Sequence, residues 1–353
     1  MSPITVFVQR LQRLVARGWT ALAQRWRHRF YLYLAALFSL FVLADAAVLN
    51  LGGNMRQAAF DLIVRLRVLV PKPDPQIIIV DIDEASLAAM APEYGRWPWP
   101  RQVLGEFLEQ LEQQQPRAVV FDILFSDPDV YNRDSDAYFN AAVAKTANTY
   151  FPMLRLDPAS DARSQLTPDR IPGVTKLEDE AAPTVTLAMV LPHFPAVLAG
   201  GRLGLHNINP DPDGVVRSYS VYRNDYGWRI PSLPARVVQG LGLTLPEPEQ
   251  VLLNWRGKPF TYPMVSFSDV FFDLQRKERT RPPQEFKDKI VLIGSTAPSL
   301  FDVKPTPMAT LHPGVEILAT ALDNLKNGDY LRAPEGRLSY SLLTLLLLWA
   351  TAG

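Results

Sequence analysis

The sequence predicts an α/β fold, in which a mixed, mainly parallel sheet is flanked by helices. Two short apolar runs, Ile77–Val80 and Ala118–Phe121, contain β-branched residues, as expected of strands that are buried on both faces of a sheet. Between them, a loop is expected to follow Asp83. Arg101–Gln115 then repeats apolar residues at helical spacing and follows Pro100, a typical helix start. Strand, helix and strand at this length form a βαβ unit, which predicts a parallel pair with a right-handed crossover.

Similar patterns predict the other elements in chain order. Arg56–Leu69 is a helix that ends at a proline-rich segment, and Arg155–Ala182, rich in Pro, Asp and Ser, is a long surface insertion. Leu203–Leu205 and Val215–Tyr222 flank a turn-rich segment and predict a hairpin. Further helices are expected over Ser135–Thr146, Pro231–Gly240, Ser266–Gln275 and Val315–Lys326, and further strands over Tyr150–Leu154, Val251–Trp255 and Ile290–Ile293.

Three motifs connect the sequence to a known family: VDIDEASL from Val80, GRWPWPR from Gly95 and AVVFDILF from Ala118. Together they resemble the type-two CHASE domain, the second class of sensory extracellular domain associated with bacterial cyclases and histidine kinases. The segments LHNINPDPDGVVRSYSVYR, KDKIVLIGSTA and HPGVEILATALDNL resemble later parts of the same family. The resemblance therefore runs from Phe60 to Leu331, with a break at the insertion.

The resemblance implies a function in signalling. Family members continue into a cytoplasmic effector, for which we expect a class III adenylate or guanylate cyclase first; a histidine kinase, a diguanylate cyclase or a serine/threonine kinase is the alternative. Such a cyclase would use a divalent metal and a nucleoside triphosphate in its own downstream domain, and would form its active sites between two chains, which implies a homodimer. No cofactor and no catalytic site are predicted in this stretch, and the extracytoplasmic ligand is unknown.

Two apolar segments predict anchoring in a bacterial inner membrane. Phe30–Leu51 is long enough for a transmembrane helix, which needs about 20 residues. Residues 1–29 contain arginines but no acid, which predicts a basic amphipathic arm on the cytoplasmic side; an ordinary solvated N-terminal helix is the alternative. The same basic region is too long for a cleaved signal peptide. Residues 337–353 would begin a second transmembrane helix of a longer polypeptide. Residues 52–336 would then form one periplasmic domain.

Composition excludes several kinds of function. The chain carries 36 basic and 36 acidic residues, so no net charge attracts nucleic acid. It contains no cysteine, which excludes disulfides and thiolate metal sites.

The segment Asn209–Gly214 copies the first half of a calcium loop, but Ser220 stands where the bidentate glutamate is required. An Asp-Gly turn explains these residues more simply.

Ligands in open α/β sheets tend to bind at the carboxyl ends of the strands. Asp81, Asp83 and Asp122 follow predicted strands, and arginines lie near them in sequence. This group could bind a cation, or a carboxylate or phosphate through the arginines. Alternatively, the acids cap loops and helices and pair with the arginines, and the tryptophans pack in the core. The candidate ligand-binding residues are Asp81, Asp83, Arg96, Trp97, Trp99, Arg101, Asp122 and Ser295.

Three functional hypotheses follow. The first is a membrane-anchored sensor, as the family resemblance implies. The second is a membrane-anchored periplasmic scaffold or assembly domain that needs no ligand. The third is an outer-facing hydrolase, which would require the acidic group to bind a metal.

Overall fold

The computed structural model describes residues 29–45, 51–177, 185–332 and 337–352. It contains two compact units. Val64–Arg332 forms the central unit, and Met1–Ile63 with Ala333–Gly353 forms the terminal unit. The predicted basic arm lies outside the described residues, apart from its last residue.

The described helices and strands overlap each predicted helix and strand, but some bounds differ: the predicted strand Val251–Trp255 is observed only as Gln250–Leu252. The helices are α1 (29–44), α2 (Leu51–Leu66), α3 (Glu84–Tyr94), α4 (Arg101–Glu112), α5 (Arg133–Ala144), α6 (Pro195–Gly200), α7 (Leu233–Gly240), α8 (Phe267–Gln275), α9 (Gly314–Asn327) and α10 (Arg337–Ala352). The strands are β1 (Ile77–Asp81), β2 (Ala118–Phe121), β3 (Thr149–Arg155), β4 (Thr175–Lys176), β5 (Met189–Val190), β6 (Leu203–Leu205), β7 (Ser218–Ser220), β8 (Tyr222–Asp225), β9 (Trp228–Pro231), β10 (Gln250–Leu252), β11 (Met264–Ser266), β12 (Ile290–Gly294), β13 (Val303–Lys304) and β14 (His312–Pro313).

The main sheet of the central unit is mixed and mainly parallel, which confirms the predicted fold class. Its strands follow the order β11-β1-β12-β2-β3-β5, and β6 also pairs with β3. All of these pairs are parallel except the pair of β3 with β5. The strands β1 and β2 are parallel, as predicted, but they are not neighbours because β12 lies between them.

Helices cover both faces of the sheet. Side chains alternate along a strand, so Ile78 and Val80 of β1 point towards a core that also contains Phe107 of α4 and Phe267 of α8. Ile79 belongs to the opposite face, and it is fully buried. On that side α9 contacts β1 and β12, and its residues from Gly314 to Leu325 are all buried. Burial on both faces explains the continuous apolar runs of β1, β2 and β12.

Two sequence-based expectations were wrong. The segment after Asp83 is the helix α3 rather than a loop. The predicted hairpin does not form, because β6 pairs in parallel with β3 and β7 pairs with β10. The hairpin in this region joins β8 to β9, where Tyr226 and Gly227 both have positive φ angles that suit a tight turn. The predicted insertion is partly folded, as two 3₁₀ turns and β4, while residues 178–184 lie outside the description.

The terminal unit contains the two segments that were predicted to span a membrane. The indole Nε1 of Trp349 on α10 donates a hydrogen bond to the hydroxyl of Ser39 on α1, at 3.1 Å. Among the residues that the structure describes, no helix reaches the combination of length and hydropathy that a membrane crossing requires. The first predicted span includes residues 46–50, which are not described.

Candidate functional site

Asp81 and Asp122 extend from the carboxyl ends of β1 and β2, as the sequence predicts, but β12 separates them. The backbones are therefore about two strand spacings, or roughly 10 Å, apart. Between them β12 ends at Gly294, where a Cβ atom would lie 2.7 Å from the Val315 side chain and 3.0 Å from the Cβ of Asp122. Only glycine fits this position without displacing its neighbours.

Asp81 connects the end of β1 to the loop that follows β12. Its carboxylate is almost fully buried and accepts hydrogen bonds from the amide of Thr296 at 2.8 Å and the hydroxyl of Thr296 at 2.5 Å. Burial raises the pKa of Asp81, and the nearby charge of Asp83 adds to the increase. These contacts hold the two loops together at the edge of the sheet.

Asp83 and Ser295 also stabilise local structure. Asp83 is the N-cap of α3, because its carboxylate accepts a hydrogen bond from the amide of Ser86 at 2.7 Å. The hydroxyl of Ser266, the residue before α8, donates to the same carboxylate at 3.1 Å. The hydroxyl of Ser295 donates to the carbonyl of Ile82 at 2.7 Å. Two helices and two strand ends therefore meet at Asp83 and Ser295.

The two tryptophans differ in burial. Trp99 is 1% exposed and packs on Phe267 with ring centroids 5.1 Å apart. Trp97 is half-buried and meets Trp99 edge to face, with ring centroids 4.9 Å apart. Trp99 is therefore a core residue, whereas Trp97 has one side available at the surface.

Trp97 and Arg101 line a shallow cavity of about 260 Å³ together with Phe125 and Asp127. The guanidinium carbon of Arg101 lies 5.7 Å from the centre of the Phe125 ring, within range of a cation–π contact. Arg96 is exposed. The tryptophan–proline segment thus forms a wall of this cavity rather than a single point of contact.

The predicted residues do not converge on one centre. Asp81, Asp83 and Ser295 form hydrogen bonds that stabilise the loops after the strands. Trp97 and Arg101 line the small cavity. Asp122 belongs to neither group and pairs with a histidine. Among the ion pairs of the described residues, neither Arg96 nor Arg101 pairs with the three acids, so the expected pairing of acids with arginines was wrong. The expected capping role was correct for Asp83. Within the described ranges no group of three His, Asp or Glu side chains has a geometry that could hold a metal.

Asp122 instead contacts a histidine that sequence reasoning did not select. The Nε2 atom of His206 lies 3.0 Å from Oδ1 of Asp122, and the side chains are 19% and 2% exposed. Burial lowers the pKa of His206, but the charge of Asp122 and its hydrogen bond outweigh this effect and raise the pKa above its usual value. Asp302 and Lys304 are further charged neighbours of His206. Burial and the charge of Asp122 also raise the pKa of Asp302.

Three polar atoms around this pair have no hydrogen-bond partner among the described residues: Oδ2 of Asp122, Nδ1 of His206 and the hydroxyl of Tyr219. Burial and the charge of Asp122 raise the pKa of Tyr219 as well. The three side chains therefore form a buried polar cluster beyond the carboxyl ends of β2 and β6. The position of His206 in the sequence could have identified it, since it directly follows β6 just as Asp122 directly follows β2.

The family profile described as the CHASE2 domain matches residues 34–353. The chain belongs to the CHASE2 family. CHASE2 is a sensory extracellular domain of signalling proteins, which confirms the resemblance carried by VDIDEASL, GRWPWPR and AVVFDILF. Comparisons with curated proteins and with solved structures gave no match.

Proposed function

We propose that this CHASE2 chain is the sensory, membrane-anchored part of a bacterial signal-transduction receptor. The central unit detects an extracytoplasmic signal, and the flanking helices relay it to a cytoplasmic effector, first of all a class III adenylate or guanylate cyclase. The match to the CHASE2 domain over residues 34–353 carries the proposal. The divalent metal and the nucleoside triphosphate belong to that downstream effector, and the receptor works as a homodimer.

The exposed surface of the terminal unit supports the membrane anchor. Both α1 and α10 expose large apolar side chains, which water solvates poorly and which soluble proteins rarely expose as contiguous groups. Lipid would cover them. These side chains are those of Phe30, Tyr33, Leu37, Leu40, Phe41, Leu43, Leu342, Leu343, Leu346 and Leu347.

One side chain contacts both the first and the last segment of the central unit, which supports a relay. Asn254 accepts a hydrogen bond from Nη1 of Arg67 at 2.7 Å, near the start of the unit. Its amide nitrogen donates to the side chain of Asp329 at 2.5 Å, near the end of the unit. A ligand changes the output only if it binds one arrangement of the domain better than another. A change at Asn254 would alter both connections at once.

Two experiments test the proposal. Alkaline phosphatase, which is active only outside the cytoplasm, is inserted in the exposed loop after Ser126 of the full chain; we expect activity there and none from an N-terminal fusion. A chimera then joins the chain to a class III cyclase catalytic domain, and cyclic AMP is measured in cells. A chain that fractionates as a soluble cytoplasmic protein would overturn the anchor, and a chimera whose output is unaffected by replacing the central unit with a flexible linker would overturn the sensory role.

A further inference from the structure

A second cavity, away from the predicted site, opens between the β8–β9 hairpin and α7. Its volume is about 480 Å³, which lies within the range of about 300–1,000 Å³ that is typical of small-molecule sites. Two arginines on different elements line it, Arg229 on β9 and Arg236 on α7. Other lining residues are Thr175, Tyr222, Pro231, Gln239 and Glu247.

Arg236 is a half-buried cation whose described partners are neutral. Its Nε donates to the carbonyl of Leu203 at 3.2 Å, and its Nη2 donates to the carbonyl of Gly173. Burial lowers the pKa of Arg236, and the nearby phenol of Tyr150 opposes this effect. No carboxylate among the described residues pairs with it. A desolvated cation without an opposite charge is unfavourable unless a bound anion compensates for it.

Arg229 is held in place by stacking rather than by an acid. Its guanidinium carbon lies 4.4 Å from the centre of the Tyr222 ring, and its Nε donates to the side chain of Asn224 at 3.3 Å. In the described part of the chain its terminal nitrogens have no partner. The hydroxyl of Tyr222 is occupied by backbone carbonyls, so the stacked ring orients the guanidinium plane without neutralising it.

We propose that this cavity binds a small organic anion, with its carboxylate or phosphate group between Arg229 and Arg236. Guanidinium groups present paired N–H donors whose spacing matches the oxygens of both anions, and such charge-assisted hydrogen bonds are strong. The rest of the ligand lies against the apolar surface of Tyr222 and Pro231. Glu247 is exposed at the rim, where it disfavours large polyanions and favours a compact ligand with one anionic end.

The position of α7 connects this cavity to Asn254, the proposed relay contact. α7 packs against α9, and Asn324 of α9 accepts a hydrogen bond from the backbone amide of Asn254 at 2.7 Å. An anion bound here would be the ligand of the proposed sensor, and its role in signalling rests on that proposed function. Binding itself requires neither a membrane nor an effector.

The test is isothermal titration calorimetry on the full chain in detergent micelles at constant ionic strength. The probes are inorganic phosphate, succinate and the neutral diamide of succinate. We expect at least one of the two anions to bind and the diamide to give no heat. Binding of succinate alone identifies a carboxylate ligand, and binding of phosphate alone identifies a phosphate ligand. The absence of heat with both anions up to about 10 mM would overturn the proposal.

Variants locate the binding. Arg229→Gln and Arg229→Glu should weaken anion binding by about tenfold or more, because each removes charge-assisted hydrogen bonds. Arg236→Lys, which keeps the positive charge, should weaken it less. The matched control is Arg170→Gln, an exposed arginine of the neighbouring insertion, which should bind as the parent chain does. Unchanged affinity in a folded Arg229→Gln chain would overturn the site.

The two proposals fail separately. If the chain binds succinate or phosphate through Arg229 but shows no alkaline phosphatase activity outside the cytoplasm, the anion site stands and the receptor function is overturned. A chain with the expected orientation and cyclic AMP output, but without anion binding, retains the receptor function and loses the site.

Discussion

His206 and Asp122 connect two strands that are not neighbours. Nε2 of His206 lies 3.0 Å from Oδ1 of Asp122, and the two residues directly follow β6 and β2, which lie on opposite sides of β3. The pair therefore ties the carboxyl ends of β2 and β6 together across β3. Because both side chains are largely buried, its strength depends on the protonation of the histidine.

The first prediction concerns pH. The pKa of His206 is raised above its usual value of about 6.5, so the folded state binds this proton more tightly than the unfolded state. The stabilisation is fully present below pH 6.5 and is lost as the pH rises through the elevated pKa. Chemical unfolding at a series of pH values should show that His206→Gln costs most at low pH. A cost that does not change with pH would contradict the role of Asp122.

The second prediction concerns a buried ion pair. Nη2 of Arg256 lies 2.5 Å from Oδ1 of Asp323, and both side chains are at most 2% exposed. Replacing Arg256 by Met would leave the carboxylate buried without its cation, so we expect a loss of about 3–5 kcal/mol in the free energy of unfolding. The matched control is Lys145→Met. The side chain of Lys145 pairs with Glu109 and is 69% exposed. It should cost less than about 1 kcal/mol.

The third prediction separates the two tryptophans of GRWPWPR. Trp99→Ala empties a fully buried position against Phe267 and should cost about 3–5 kcal/mol in urea unfolding. Trp97→Ala removes a half-buried ring at the edge of the small cavity and should cost clearly less. Equal losses for the two variants would show that Trp97 is as much a core residue as Trp99.

The fourth prediction concerns the cap of α3. Asp83→Ala removes the acceptor for the amide of Ser86 and should destabilise the central unit by about 0.5–2 kcal/mol. Asp83→Ser retains a capping oxygen and should restore most of this stability. If Asp83 acted only on a ligand, both variants would unfold at the same urea concentration as the parent chain.

The fifth prediction tests the relay contact. Asn254→Ala breaks the hydrogen bonds with Arg67 and Asp329, so the cyclic AMP output of the cyclase chimera should shift, while the chain remains folded and at the same level in the membrane. Gln165→Ala, which removes an exposed amide, is the control and should leave the output unchanged. Identical output from a folded Asn254→Ala chimera would place the relay elsewhere.

The missed elements have physical explanations. The apolar residues of α3 do not follow one stripe and Pro92 lies inside it, so its sequence resembles that of a loop. The hairpin was predicted between β6 and β7 because a turn-rich segment separates two short strands. In the fold these strands find better partners in β3 and β10, and pairing between distant strands leaves no local signal.

The sequence by itself determined the buried strands β1, β2 and β12, the amphipathic helix α4, the helix α9, and membership of the CHASE2 family. These depend on local patterns, since burial on one or both faces dictates the spacing of apolar side chains. Only the tertiary structure decided that β12 lies between β1 and β2 and that Asp122 pairs with His206. It likewise brought Arg229 and Arg236 to one cavity. Which polar groups meet depends on strand order and helix packing, and these are set by contacts between residues that are far apart in the chain.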